Sequence, residues 1–290
     1  MSRLIGVLLW TLPVAAQTGV NLTVAAVQLR STFKVEENRQ KIIEALNRVA
    51  DRGANVAVFP ECALTGYHSR HVGATSEEIA AAEEEIRQTC KHRGIAAVVG
   101  SIFRINGRTF ITAVVFDSRG ELVERYGKLV LAGEEWAVPG NHIAFFELEG
   151  IPSTVIICRD KRAPEIARLP AMAGARILYY IGHESGVLYE SRLKPLRAQM
   201  MARAAENTMF VVAANSPGDV NDASNSHGQG RIIRPDGNVL REASIFGEDI
   251  LIETLSIEPR KLDGPQQGLM GDWWRQGVEF LMKNRHRKLE

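Results

Sequence analysis

The chain has 290 residues, 45% hydrophobic and 24% charged, with a net charge of 35 − 34 = +1. That composition belongs to a globular protein able to bury a large core, and it carries no low-complexity tract and no excess of positive charge to hold nucleic acid. Three cysteines, Cys62, Cys90 and Cys158, are too few and too scattered for a disulfide framework, and none forms the C-x-x-C pair of a thiolate zinc site.

The chain opens with Met1-Ser-Arg3, then an apolar run over 4–16, and its first acidic residue is Glu36. A short positive segment, an apolar stretch and small residues in that order read as a signal peptide over 1–16 cut near Ala16, with the mature protein periplasmic or secreted. The alternative is a cytoplasmic protein, which would suit an unpaired reactive thiol better. The apolar run is shorter than the roughly 20 residues a bilayer requires, so no stable membrane span is expected.

Beyond residue 20 strands and helices alternate. The pattern predicts a strand over 22–28 and a helix over 35–52 with Ile42, Ile43, Leu46, Val49 and Ala50 on one face, ended by Gly53. A short buried strand over 55–59 leads to Pro60-Glu61. His68 and His71 form one H-x-x-H without carboxylate company and read as loop polarity. A helix over 76–92 and strands over 95–102, 109–117 and 122–126 follow. The theme then restarts with a strand over 154–158, a helix over 164–173 and a strand over 176–181. A helix over 192–207 has Leu193, Leu196, Met200, Met201 and Ala204 at helical spacing and Pro195 in its first turn. A strand over 209–214, a hairpin turning at Arg234-Pro-Asp-Gly237 and a strand over 249–254 complete a domain of residues 22–258. Gly228-Gln-Gly230 lacks the third glycine of a dinucleotide fingerprint, and no phosphate-binding loop of Walker type is present.

Repeated strand–helix units mixed with hairpins imply a layered α/β domain with mixed sheets. The tail over 259–290 holds a predicted helix over 270–284, whose Trp273, Trp274, Val278, Phe280 and Leu281 call for packing on the domain or on a second subunit. Its basic end over 283–288 reads as a solvated helix terminus.

Three polar residues stand where apolar strands run out: Glu61 after Val-Ala-Val-Phe-Pro, Lys128 after Glu-Arg-Tyr-Gly, and Cys158 after Thr-Val-Ile-Ile. Ligands gather at the carboxyl ends of strands in open α/β sheets, so the three could share a pocket. Each alone also reads blandly, as a turn residue, a solvated charge and a small core hydrophobe. Together they make chemical sense. A thiol with a pKa around 8.5 needs a base to become a nucleophile, and a partly desolvated carboxylate can be that base. An ammonium would stabilise the negative charge that develops on a carbonyl oxygen under attack.

The stretches VFPECALTGY (58–67), RYGKLVL (125–131) and ICRDKRAPE (157–165) resemble, in order, the three signature blocks of the nitrilase, or carbon–nitrogen hydrolase, superfamily. ARAAENTMFVVAAN (202–215) and GQGRIIRPDGNVLREA (228–243) extend the similarity. The resemblance implies a four-layer α-β-β-α sandwich, with Glu61 as general base, Lys128 as the charge-stabilising lysine and Cys158 as nucleophile. It also implies assembly as a homodimer or higher oligomer through the helical face carrying the nucleophile, and no metal or organic cofactor. Family members often place a second glutamate shortly after the lysine. AGEEWAVPG (132–140) offers Glu134 and Glu135, and the commonest family spacing selects Glu135 as the expected residue.

Three departures stand out. Arg159 occupies a position that is often aromatic, where the backbone N–H would serve the oxyanion and the side chain would shape the pocket wall. Cys62 follows Glu61, where an apolar residue is common, and becomes a possible oxidation partner for Cys158. In GHESGVLYE (182–190), His183 and Glu184 are candidate substrate contacts, or simply part of a polar loop. The expected activity is hydrolysis of a non-peptide amide or N-carbamoyl substrate. Nitrile hydrolysis, or acyl transfer on the same residues, is an alternative. A Cys–His protease using His183 or His227, and a non-catalytic scaffold, are the rivals from other classes.

Overall fold

The structure, a computed structural model, describes residues 19–67, 73–184, 190–219, 221, 225–258 and 272–284. The proposed signal peptide, the His68/His71 pair and the start of the tail lie outside the described residues.

Two six-stranded sheets form the centre. In chain order the first half supplies β1 (Val20–Gln28), α1 (Val35–Ala50), β2 (Val56–Val58), α2 (Ser76–Arg93), β3 (Ala96–Ile105), β4 (Arg108–Phe116) and β5 (Leu122–Gly127). The second half supplies β6 (Phe146–Leu148), β7 (Ile151–Ile157), a 3-10 turn over Cys158–Arg162, α3 (Pro164–Met172), β8 (Ile177–Gly182), α4 (Glu190–Asn207), β9 (Phe210–Asn215), β10 (Arg231–Ile233), β11 (Val239–Glu242), β12 (Asp249–Ile257) and α5 (Asp272–Lys283). One sheet runs β12-β1-β2-β3-β4-β5 and the other β11-β10-β9-β8-β7-β6. Strands β1, β2 and β3 are parallel, as are β7, β8 and β9, and the flanking strands are antiparallel. Both sheets are therefore mixed, and the parallel centre of each carries its strand exits to one end.

Side-chain alternation explains the layers. On β7, Val155 and Ile157 point into the core shared by the two sheets, while Ile156 points outward to α3 and α4. Leu178, Tyr180, Val211 and Ala213 share that outer face and meet Ile166, Ala171, Met200 and Ala204 of the helices. On the other side Ile42, Leu46 and Val49 of α1 and Ile79 and Ile86 of α2 bury the face their spacing predicts. Helix α2 starts at a capping box, with Thr75 accepting from the Glu78 N–H, and stops at Gly94 in the left-handed region. The result is the expected α-β-β-α sandwich.

Element positions follow the sequence expectations closely, with two additions. The three-residue strand β6, hairpinned to β7, was too short to show a period. The 3-10 turn begins at Cys158 itself. Helix α5 lies against α3, with Gly277 close to Leu169 and Leu281 buried. Among the described residues no helix is long and apolar enough to cross a membrane.

Candidate active site

Glu61 reaches the site because β2 runs straight into a tight turn. Phe59 continues the ladder by donating its N–H to Val98 O (2.8 Å), and Leu64 N–H returns to Gly100 O (3.0 Å). A Cβ on Gly100 would stand 2.0 Å from Pro60 O and 2.7 Å from Glu61 Cα, so only glycine in β3 lets this turn lie on the sheet. Lys128 leaves β5 held on both sides of its backbone, its N–H donating to Ile111 O (2.9 Å) and its carbonyl accepting from Gly140 N–H (2.8 Å). Cys158 sits at the end of β7 with φ 45°, a left-handed conformation unusual for a residue with a side chain. That twist turns the thiol out of the strand's alternation, and Cys158 is half-buried whereas Cys62 and Cys90 are fully buried.

The side chains meet in a continuous buried run. The Lys128 ammonium donates to Glu61 Oε1 (2.7 Å) and to Glu134 Oε1 (2.6 Å), and both members of the Glu61–Lys128 pair have 0% side-chain exposure. Glu61 Oε2 accepts from the His183 backbone N–H (2.9 Å). Tyr67 donates its hydroxyl to Glu134 Oε1 (2.9 Å), the Ala132 N–H donates to Glu134 Oε2, and the Lys128 ammonium lies 5.9 Å from the Tyr67 ring centre. Such a run survives burial because every charge is paired and its remaining bonds are satisfied.

Burial raises the Glu61 carboxyl above its ordinary value, against the pull of Lys128. Burial alone would lower Lys128, but Glu61, Cys158 and Glu134 outweigh it and hold the ammonium above the ordinary lysine value. Glu134 is lowered because Lys128 overcomes its burial. The Cys158 thiol is pushed up by burial and then by Glu61, with Lys128 opposing. Burial thus favours the neutral thiol, and Glu61 and Lys128 are the charges that act on it most strongly after burial.

The remaining predicted residues fall differently. Glu135 is exposed, and its neighbour Glu134 is the glutamate on the lysine. The loop turns Glu134 inward because its carboxylate caps the Ala132 N–H and takes the Lys128 and Tyr67 donors. Arg159 is half-buried, and the charges bearing most on the thiol are Glu61, Lys128, Glu184 and Lys161 rather than its guanidinium. His183 is part of the site in an unexpected way: its backbone holds Glu61, and its ring stacks on Tyr67 at 4.7 Å. Burial, then Lys128 and Arg30, lowers the imidazole to about 4, so it is neutral at physiological pH. Glu184 is no free substrate contact. It accepts from Lys161, from Tyr180 and from His227 Nε2 (2.7 Å), in a buried cluster whose charge still reaches Cys158.

The sequence singled out neither Tyr67 nor Asp160 nor the pairing of Glu184 with Lys161 and His227, and of the two glutamates it offered after Lys128 it favoured Glu135 over Glu134. Tyr67 and Asp160 stood inside the quoted blocks VFPECALTGY and ICRDKRAPE, which was the available signal. Among the described residues no group of three or more His, Cys, Asp or Glu is gathered as a metal site would need.

A two-sheet sandwich with a thiol at one strand exit and a buried carboxylate–ammonium–carboxylate run beside it defines a class, thiol-dependent enzymes that open carbon–nitrogen bonds. The carbon–nitrogen hydrolase family model matches residues 23–260, and the chain belongs to that family. It is 29% identical over 226 residues to the 2-oxoglutaramate amidase of Bacillus subtilis (strain 168), covering 76% of this chain and 85% of that one. It is 26% identical over 239 residues to the omega-amidase NIT2 of Xenopus tropicalis, with 76% and 85% covered. Among solved structures, a glutamate-to-glutamine variant of the amidase from Nesterenkonia sp. AN1 superposes with a TM-score of 0.74 at 25% identity, covering 81% of this chain and 90% of that one. That structure shows covalent addition of the acetamide moiety of fluoroacetamide at its active-site cysteine. Another structure of an amidase from Nesterenkonia sp. gives a TM-score of 0.76 at 24% identity over 89% of this chain and 98% of that one, which supports the fold.

Proposed function

We propose that this carbon–nitrogen hydrolase cleaves small non-peptide amides or N-carbamoyl compounds through a thioester on Cys158. Glu61 takes the thiol proton as the sulfur attacks the carbonyl carbon. The Lys128 ammonium, together with backbone N–H groups at the Cys158 turn, stabilises the oxyanion. Protonated Glu61 then gives its proton to the departing nitrogen, and the C–N bond breaks to leave the thioester. Glu61 next deprotonates a water that attacks the thioester, and the acid leaves as the sulfur recovers its proton. Glu134 keeps Lys128 charged and oriented.

The observation that carries this reading is the fully buried Glu61–Lys128–Glu134 run, whose Glu61 and Lys128 are the charges acting most strongly on the Cys158 thiol after burial itself. The raised Glu61 carboxyl suits a residue that must both take and return a proton. A Cys–His scheme fits less well, because the His183 imidazole is a weak base stacked on Tyr67 and His227 is engaged with Glu184. The amidase activities of the Bacillus and Nesterenkonia relatives favour amides over nitriles.

The test is ammonia release from a panel of amides, N-carbamoyl amino acids and nitriles, with Cys158→Ala as the matched control. Amide or carbamoyl turnover that vanishes in a folded Cys158→Ala protein supports the assignment, and turnover that survives the substitution refutes it. The proposal also keeps export with cleavage near Ala16, on the pattern of residues 1–16, and self-assembly through the α3–α4 layer, where Met201 is 38% exposed. N-terminal sequencing and light scattering test these.

A further inference from the structure

The chemistry assigned to Cys158 makes no use of Asp160, a fully buried carboxylate two residues further on. Its Oδ1 accepts from the backbone N–H groups of Leu129 (3.1 Å) and Val130 (2.7 Å). Its Oδ2 accepts from the Tyr126 hydroxyl (2.7 Å) and from the Ile157 N–H (3.0 Å). Three of these donors flank Lys128 on both sides, and the fourth belongs to the residue just before Cys158.

Lys128 leaves the edge strand β5 of one sheet, and Cys158 leaves β7 of the other. Among the described residues no ladder of backbone hydrogen bonds joins the two sheets, which meet mainly through apolar side chains, with single directional ties such as Glu61 to the His183 N–H and Gln28 to the Gly230 N–H elsewhere. Apolar packing is non-directional and sets spacing better than register. Four directional bonds to one carboxylate set register. We propose that Asp160 is a positioning residue that locks the Lys128 strand exit to the Cys158 turn, so that ammonium and thiol address the same carbonyl. This rests on the roles proposed above for Lys128 and Cys158.

Asparagine is the discriminating substitution, because an amide keeps the shape of the carboxylate but has only one accepting oxygen. With that oxygen facing Leu129 and Val130, the Tyr126 hydroxyl can turn to accept from the amide, and the Ile157 N–H is left facing a donor. The segment before the nucleophile then loosens. Misplacing reacting groups by about 1 Å costs on the order of 10²-fold in rate. In Asp160→Asn, measured well below its melting temperature, kcat for amide hydrolysis should fall about 100-fold while KM stays within about threefold.

A purely structural Asp160 would lower the melting temperature and leave kcat per folded molecule within threefold, and that result overturns the proposal. So does a raised KM at unchanged kcat. Should Asp160→Asn fail to fold, Tyr126→Phe decides, since it removes one donor and keeps the carboxylate. A three- to tenfold loss of kcat at constant KM supports the lock, and wild-type kcat overturns it. Wild-type turnover that Cys158→Ala abolishes, run alongside, separates the two claims. Without it the roles of Cys158 and Lys128 fail and the lock falls with them; with it, only the Asp160 variants decide.

Discussion

Replacing Glu134 with glutamine removes one of the two carboxylates that hold the Lys128 ammonium. Glu134 Oε1 takes the Lys128 and Tyr67 donors and Oε2 takes the Ala132 N–H, so a glutamine must set its NH2 against a donor in either orientation. A hydrogen bond involving a charged group contributes about 1.5–3 kcal/mol. At about 1.4 kcal/mol per factor of ten, loss of that bond from the arrangement proposed to stabilise the oxyanion predicts a fall in kcat of roughly 10- to 100-fold. The pH profile should move as well. The Glu134 charge raises the Glu61 carboxyl, and without it Lys128 pairs with Glu61 alone, so the Glu61 pKa falls. With Glu61 as the proposed base, the acid limb of the kcat/KM profile therefore shifts to lower pH. Glu135→Gln, on the exposed neighbour, should stay within about twofold of wild type, as surface changes usually cost under 0.5 kcal/mol. Ammonia release across pH for the two variants reads all of this. A crippled Glu135→Gln beside an unaffected Glu134→Gln, or an acid limb that moves upward, would refute the reasoning.

His183→Ala keeps the backbone N–H that holds Glu61 and loses only the ring stacked on Tyr67. It should lower kcat/KM by less than about tenfold, in keeping with the roughly 0.5–1.5 kcal/mol of an aromatic pair, and leave the shape of the pH profile unchanged. Iodoacetamide should label Cys158 alone in the folded protein and all three cysteines after denaturation. Burial raises all three thiols, so accessibility decides: Cys62 and Cys90 are fully buried and Cys158 is only half-buried. Glu184 carries a stability prediction with a definite sign. Its folded pKa is depressed, because Lys161 and His227 overcome its burial, so its contribution is present above the unfolded value of about 4.3 and is lost as pH falls below it. Urea unfolding between pH 7 and pH 3 should show wild type losing more stability than Glu184→Gln. Equal slopes would show that Glu184 is not depressed in the folded protein.

Much of this was legible in the chain because the governing interactions are local or periodic. The helical faces of α1 and α2 and the strand exits at Glu61, Lys128 and Cys158 follow from spacing and from where apolar runs stop. What escaped depends on partners remote in sequence. Glu134 and Glu135 are identical residues side by side, and the choice between them is made by Lys128 and Tyr67, one of them 67 positions away. Asp160 reads as one more polar residue at a strand exit until donors 30 and 34 positions upstream converge on it. Glu184 looked like a loop contact, and only the arrival of Lys161 and His227, 23 and 43 residues distant, shows it to be internally paired. His183 was expected to contribute a side chain, but it is the backbone N–H, which every non-proline residue carries, that meets Glu61.

In the proposed mechanism the Cys158 sulfur forms the covalent bond with substrate. Acid-quenching the enzyme during turnover of a small amide and mapping the acyl group by peptide mass spectrometry tests it directly. A single hydroxylamine-labile thioester on Cys158 is expected, absent from Cys158→Ala, which releases no ammonia. Steady ammonia release from Cys158→Ala, or an acyl group mapped to another residue, would contradict it.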